Sequence, residues 1–234
     1  MSLKSNINLK IKRYLSSLLL VLLLIPFLAH SSTVKNPMPK FESRITSIPL
    51  ATQKIMKKYT WKLGCPVPLN DLREIRLSFW GFDQKAHQGI LIVNKMLAAE
   101  VVSIFKAAYY HRFPIERMEP MDNFKGNDDA AMEVNNTSAF NCRAVTGKPG
   151  VFSQHSYGGA IDINTLINPY VKGEKILPLS GKKYADRTKS YPGKITKDSF
   201  IYNEFIKHGW EWGGDWINLQ DYQHFEKKRL GLEN

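Results

Sequence analysis

Cysteine is scarce in this chain: Cys65 and Cys142 are the only two in 234 residues. Neither stands near the end of the N-terminal apolar run, so a lipid-modified anchor is not indicated. An exported chain permits the two to pair, while a buried free cysteine is the other common fate. Acidic residues are also few, 21 against 33 Lys and Arg, which leaves a formal charge of +12. No basic and aromatic module of the kind that binds nucleic acid accompanies this excess. Outside the membrane a basic surface is instead drawn to an anionic polymer such as cell-wall material. Long apolar runs are limited to Leu15 to Leu28, shorter than the ~20 residues that span a bilayer.

That run is the middle of a three-part leader. Residues 1–13 carry Lys4, Lys10, Lys12 and Arg13 without an acid, and Ala29-His30-Ser31 follows the run as a small-x-small site. The order is that of a secretory signal, so residues 1–31 are expected to be a signal peptide, with an uncleaved N-terminal anchor as the alternative. Its removal takes four positive and no negative charges, and the chain stays basic at +8. The only expected contact with a membrane is through this segment. Residues 32–47, with Pro37, Pro39 and several Ser and Thr, read as a linker. Residues 48–234 are then one domain, within the size that a single core supports.

The chemistry concentrates in Phe152-Ser153-Gln154-His155-Ser156-Tyr157-Gly158-Gly159-Ala160-Ile161-Asp162-Ile163-Asn164. Its second half alternates Ala160, Asp162 and Asn164 with Ile161 and Ile163, the period of a half-buried strand, with Asp162 pointing away from the core. His155 and Asp162 are too far apart to share a helical face, and Gly158-Gly159 supplies the bend that brings them together. A catalytic zinc site needs three protein ligands and an open position. His30 lies in the leader, His87 between two apparent strands, His111 at the end of a helical run and His208 before a glycine. His224 is left as the third ligand, with Asp221 three positions before it placed as a general base.

These residues carry a resemblance. Ser153, His155, Gly158, Ala160 and Asp162 fill every specified position of Ser-x-His-x-x-Gly-x-Ala-x-Asp, and Asp221 and His224 fill Asp-x-x-His. The chain resembles the zinc D-alanyl-D-alanine carboxypeptidase family over roughly residues 60–228, in the branch that includes L-alanyl-D-glutamate endopeptidases. Asp221 stands where the wider family often has glutamate. The resemblance implies an α+β fold with a small antiparallel sheet, packed helices and a zinc cleft. It also implies Zn2+ as cofactor and peptidoglycan stem peptides as substrate. In that reading His155, Asp162 and His224 hold the metal, Asp221 moves the proton and Arg143 stabilises an oxyanion or clamps a carboxylate. Ser153 orients the loop or the substrate, since no Ser-His-acid arrangement accompanies it; Trp210, Trp212 and Trp216 are candidates to pave the substrate cleft or to fill the core, with Trp212 singled out as the substrate-binding one. Two alternatives stay open: an L-Ala-D-Glu endopeptidase, and a wall-binding module that keeps the metal without catalysis.

The remaining stretches read as supporting structure. Ile48 to Tyr59 is expected to be helical, Asp71 to Gly81 and Gln88 to Asn94 a hairpin, and Lys95 to His111 an amphipathic helix. Phe113 to Met118 reads as a short strand, and Asp122, Asp128, Asp129 and Glu133 as a solvated helix end, because their spacing matches no calcium loop. If Thr137 to Arg143 is extended, Arg143 faces the cleft and Cys142 faces inward. Leu166 to Thr196 reads as a long loop with partial structure at the cleft rim, followed by a helix capped by Asp198 and ending at Gly209. Positions three apart in a strand face opposite sides, so Asp221 and His224 require a break; a helical turn over Leu219–Tyr222 is expected to provide it.

Overall fold

The computed structural model describes residues 38–228; the leader and the first residues of the expected linker lie outside the described residues. The fold is α+β, as expected, built from small and mostly antiparallel sheets with helices packed on them. The linker ends sooner than its composition suggests. Ser43–Ser47 forms β1, whose Ile45 lies opposite Ile75, and the β-branched Ile45 and Thr46 suit an edge strand.

After β1 comes α1 (Leu50–Tyr59), which buries Met56 and places Lys57 and Lys58 in its last turn, where they complement the helix dipole. The expected hairpin is present as β2 (Leu72–Trp80) and β3 (Ala86–Asn94), paired antiparallel. Across it lies α2 (Ala98–Tyr110), which buries Val101, Ile104, Phe105 and Ala108 on one face, with Leu97 buried just before it, as an amphipathic helix requires. Leu72, Ile75, Leu77 and Leu91 of the hairpin are fully buried, so this layer forms the main core.

The Thr137 to Arg143 region is preceded by two short strands, β4 (Arg117–Met118) and β5 (Asn136–Thr137), separated by α3 (Asp128–Glu133). Beyond it the chain forms the hairpin β6 (Ala144–Val145) and β7 (Lys148–Phe152), then β8 (Ala160–Asp162). Cys142 faces inward, as expected, and is joined to Cys65 by a disulfide that closes a separation of 77 residues. Loop-closure entropy for a ring of that size is about 4.5 kcal/mol. Cys65→Ser is therefore expected to lower unfolding free energy by about that amount under oxidising conditions, read as a shift in the denaturant midpoint, and to make stability insensitive to reductant.

The stretch 166–196 is more ordered than its lack of periodicity suggests. It contains β9 (Tyr170–Lys172) and β10 (Lys175–Leu177) and is drawn together by one side chain. The Arg187 guanidinium donates to the carbonyls of Ile167 and Ile195 at 2.9 and 2.7 Å and to Asn168 Oδ1 at 3.1 Å. It also stacks on Tyr222 at 4.4 Å. A half-buried cation wrapped in carbonyls leaves no apolar stripe to read. Helix α4 (Phe200–Lys207) follows, capped by Ser199 rather than Asp198 and closed at Gly209, whose φ is +74°. The chain ends its described part with β11 (Glu211–Trp212), β12 (Gln220–Asp221) and β13 (His224–Glu226).

Two three-stranded sheets frame the site, ordered β10-β9-β12 and β11-β13-β8. Phe225 of β13 is fully buried and stacks on Phe205 of α4 at 4.1 Å, while Phe205 packs edge-on against Phe105 of α2. The aromatic chain ties β13 to the main core. By strand alternation His224 and Glu226 then face the other way. Among the described residues, no helix is long and apolar enough to cross a membrane.

Candidate metal centre

Strand pairing brings two of the three expected ligands together directly. In the antiparallel pair β8–β13, Asp162 lies opposite His224, and the far edge of Asp162 is bridged to Ser138. The strand is more deeply placed than its alternation implied. Every residue from Ala160 to Asn164 is buried, because sheet partners and the Asn164 hydrogen-bond network cover both faces.

His155 enters from a single 3-10 turn, Gln154–Tyr157, whose first N–H groups are capped by Ser153. Ser153 Oγ accepts from the His155 N–H, and the Ser153 N–H donates to the Arg143 carbonyl at 3.0 Å. That is the loop-orienting half of its expected role. Gly158 then reverses the chain at a φ of +67°, and a Cβ there would stand 2.5 Å from the Asn94 nitrogen. Only glycine fits both demands.

The three side chains converge. His155 Nε2 lies 3.1 Å from Asp162 Oδ2 and 3.2 Å from His224 Nδ1, and His224 Nδ1 lies 2.9 Å from Asp162 Oδ1. Each imidazole is tethered through its other nitrogen. His155 Nδ1 is 2.5 Å from the Ala139 carbonyl and His224 Nε2 is 3.1 Å from Glu226 Oε2. A carbonyl can only accept, so His155 carries its hydrogen on Nδ1 and turns a lone pair inward. When His224 donates to Glu226 in the same way, two lone pairs and a carboxylate face one point. Such a cluster needs a cation or a proton at its centre, and an N2O donor set with outer tethers fits a divalent metal of the zinc type. The group is one that could hold a metal ion.

The protonation energetics follow from this crowding. Burial alone would lower the His224 pKa, but the hydrogen bonds to Asp162 and Glu226 outweigh it and push it up to about 10. For Asp162 burial would raise the pKa, yet His155 and then His224 hold its carboxyl well below the usual carboxylate range. Glu226 is lowered as well, because His224 outweighs its burial. Without a metal the cluster thus favours a proton on His224.

Asp221 sits on β12, in a different sheet from His224. The break between them is the turn at Tyr222 and Gln223, not the helical turn expected over Leu219–Tyr222. Its consequence for Asp221 is the one required, since no continuous strand joins the two. Gly213 makes room for the pair: a Cβ there would lie 2.8 Å from Asp221 Cβ and 3.3 Å from His224 Cβ. Burial raises the Asp221 pKa to about 6, with His224 opposing the rise, and its Oδ1 is buried without a hydrogen-bond partner.

Two cavities of about 410 and 440 Å³ meet at this point, and Arg143, Thr146, Tyr170 and Asp221 line both. Asp162 borders the first, His155 and His224 the second. Arg143 therefore lies in the cleft, as expected. Its Nε forms an ion pair with Asp128, so the acidic stretch before the site is not simply solvated: Asp128 is engaged here and Asp122 accepts from Thr60 Oγ1 at 2.6 Å.

Trp212 does not reach the cleft. It is buried beneath Tyr202, Tyr222 and Phe225, with its indole N–H given to the Tyr222 carbonyl at 3.0 Å. Of the tryptophans in this run it is Trp216 that lines the second cavity, with its ring 5.4 Å from that of His224. Glu226 was missed by the motif reading, although its position two residues after His224 on a strand puts it on the same face. The Ala139 carbonyl has no side-chain signal to read.

The fold and the cluster together define an α+β protein with a buried His-Asp-His centre open to a divided cleft. Residues 146–227 match the model of the D-alanyl-D-alanine carboxypeptidase family, a peptidase family, in agreement with the resemblance carried by the two motifs. The matched segment holds His155, Asp162, Asp221 and His224; Arg143 lies just before it. No curated protein and no solved structure matches the chain.

Proposed function

We propose that this protein is an exported zinc peptidase that hydrolyses peptidoglycan stem peptides, with D-Ala-D-Ala carboxypeptidase activity as the first reading. The observation that carries it is the convergence of His155 Nε2, His224 Nδ1 and Asp162 beside an unpartnered, raised-pKa carboxyl on Asp221. His155, Asp162 and His224 would hold the metal, which in such a donor set acidifies water and polarises a carbonyl. Asp221, ionised at neutral pH, takes the proton of the attacking water and returns it to the leaving amine. Arg143 donates N–H groups to the oxygen that gains charge. The Ala139 carbonyl and Glu226 keep each imidazole in its ligating tautomer. The closed hydrogen-bond set of Ser153 fits a positioning role at the His155 turn.

The second reading, an endopeptidase cut between L-Ala and D-Glu, is favoured by the Arg143–Asp128 pair. An arginine neutralised by its own aspartate is a poor clamp for a terminal carboxylate. The deciding experiment quantifies zinc in the purified full-length chain and incubates it with muropeptides, reading products by mass. One zinc with loss of a terminal D-Ala establishes the carboxypeptidase. An internal cut establishes the endopeptidase, and bound zinc without any cleavage would leave a wall-binding module.

A further inference from the structure

Asp128 is a half-buried carboxylate that the proposed reaction does not use, and it is locked into the cleft. It begins α3, behind the cap that Asn127 makes with the Ala130 N–H. One carboxylate oxygen accepts from Asn141 Nδ2 at 2.9 Å, and the other is in ion-pair contact with Arg143 Nε, which is buried and makes no hydrogen bond. Asn141 in turn gives a second hydrogen bond to the Gly126 carbonyl and its backbone N–H to the His155 carbonyl. The backbone of Arg143 is fixed independently. Its N–H donates to Ser156 Oγ at 2.9 Å, and its carbonyl accepts from Ser156 Oγ and the Ser153 N–H. Thus the main chain of Arg143 is tied to the histidine turn and its side chain to α3.

We propose that Asp128 is the positioning residue of Arg143, aiming the guanidinium across the junction of the two cavities and cancelling its charge. A guanidinium offers five N–H donors in a fixed plane. Asp128 lies against the Nε edge as an ion pair without hydrogen-bond geometry, and the Ala144 carbonyl accepts one Nη1 hydrogen at 3.3 Å. The guanidinium makes no other hydrogen bond among the described residues, Arg143 lines both cavities, and about a quarter of its side chain, 28 %, stays exposed. Held in this way, Arg143 works by the direction of its N–H groups and not as a net cation. It is therefore suited to an oxygen whose charge appears only during reaction, as opposed to a carboxylate that the substrate brings with it. The reading rests on the peptidase function proposed above, but the pair itself can be tested apart from it.

The test combines a spectroscopic and a kinetic arm on the full chain. In protein labelled with 15N-arginine, the Arg143 Nε–H is expected to give a slowly exchanging signal, assigned by its loss in Arg143→Ala. Asp128→Asn is expected to shift that signal and speed its exchange while the melting temperature and zinc content hold. An unchanged signal in Asp128→Asn overturns the proposal whether or not any peptide is cleaved. On a peptide that the wild type cleaves, Asp128→Asn should lower kcat by about tenfold or more, the worth of a charge-assisted hydrogen bond, with KM little changed. In an Arg143→Ala background the same substitution should cost less than about twofold, because its effect acts through Arg143. Equal losses in the two backgrounds would show that Asp128 acts elsewhere. A wild type that cleaves nothing would remove the peptidase reading and leave the spectroscopic arm to decide the pairing.

Discussion

Asp221→Asn is expected to lower kcat by about a hundred- to ten-thousand-fold, the range for loss of a general base, with zinc content unchanged. The substitution keeps the shape and removes the proton acceptor. Burial in the wall between β12 and the metal centre pushes the Asp221 carboxyl up to about 6, against the opposing charge of His224. A base works in its ionised form, so the sign is fixed: kcat/KM should rise with pH through the Asp221 pKa, about 6 before the metal is bound, and stay level above it. The asparagine variant should lose that limb along with most of the rate. A pH–rate series on both proteins, with metal analysis at each end, checks the prediction. An acid limb that persists unchanged in Asp221→Asn would assign it to another group and remove Asp221 as the base.

How much of this was legible in the sequence depended on how local each signal was. The His155 and Asp162 half was readable because a glycine bend and a short strand lie within ten residues, and Gly158 does adopt the left-handed conformation the bend requires. His224 and Asp221 were readable through spacing, and the need for a break between them follows from strand alternation alone. What stayed hidden depended on distant partners. Trp212 and Trp216 are four residues apart in one tryptophan-rich run, and only the packing of Tyr202 and Phe225 decides which is covered. Asp128 reads as part of a solvated helix end; it begins α3 instead, and its pairing with Arg143 depends on how α3 folds back on the cleft. Arg187 organises a stretch without periodicity by collecting carbonyls from both its ends, a pattern that leaves no apolar signature. The disulfide is a similar case, since two cysteines 77 positions apart carry no mark of pairing.

The second large effect concerns the metal itself. His224→Ala is expected to abolish both tight zinc binding and cleavage, because it deletes one of three inward-facing donors and leaves Asp162 and Glu226 without the imidazole that separates them. Loss of the metal should also lower the wild-type melting temperature on chelation, since a ligand that binds only the folded state stabilises it by mass action; the variant should show no such response. The wild type makes a sharper claim. In the metal-free protein the hydrogen bonds to Asp162 and Glu226 push the His224 pKa up to about 10, so near pH 8 the ring is protonated. Ligation needs its Nδ1 lone pair, and zinc uptake must then expel that proton. Calorimetric titrations at pH 8 in buffers of different ionisation enthalpy are expected to report release of about one proton per zinc bound, with apparent affinity rising as pH increases towards 10. Uptake without proton release would mean that the centre carries no proton to displace. His224 would then be neutral in the metal-free protein, and the raised pKa drawn from its bonds to Asp162 and Glu226 would fall.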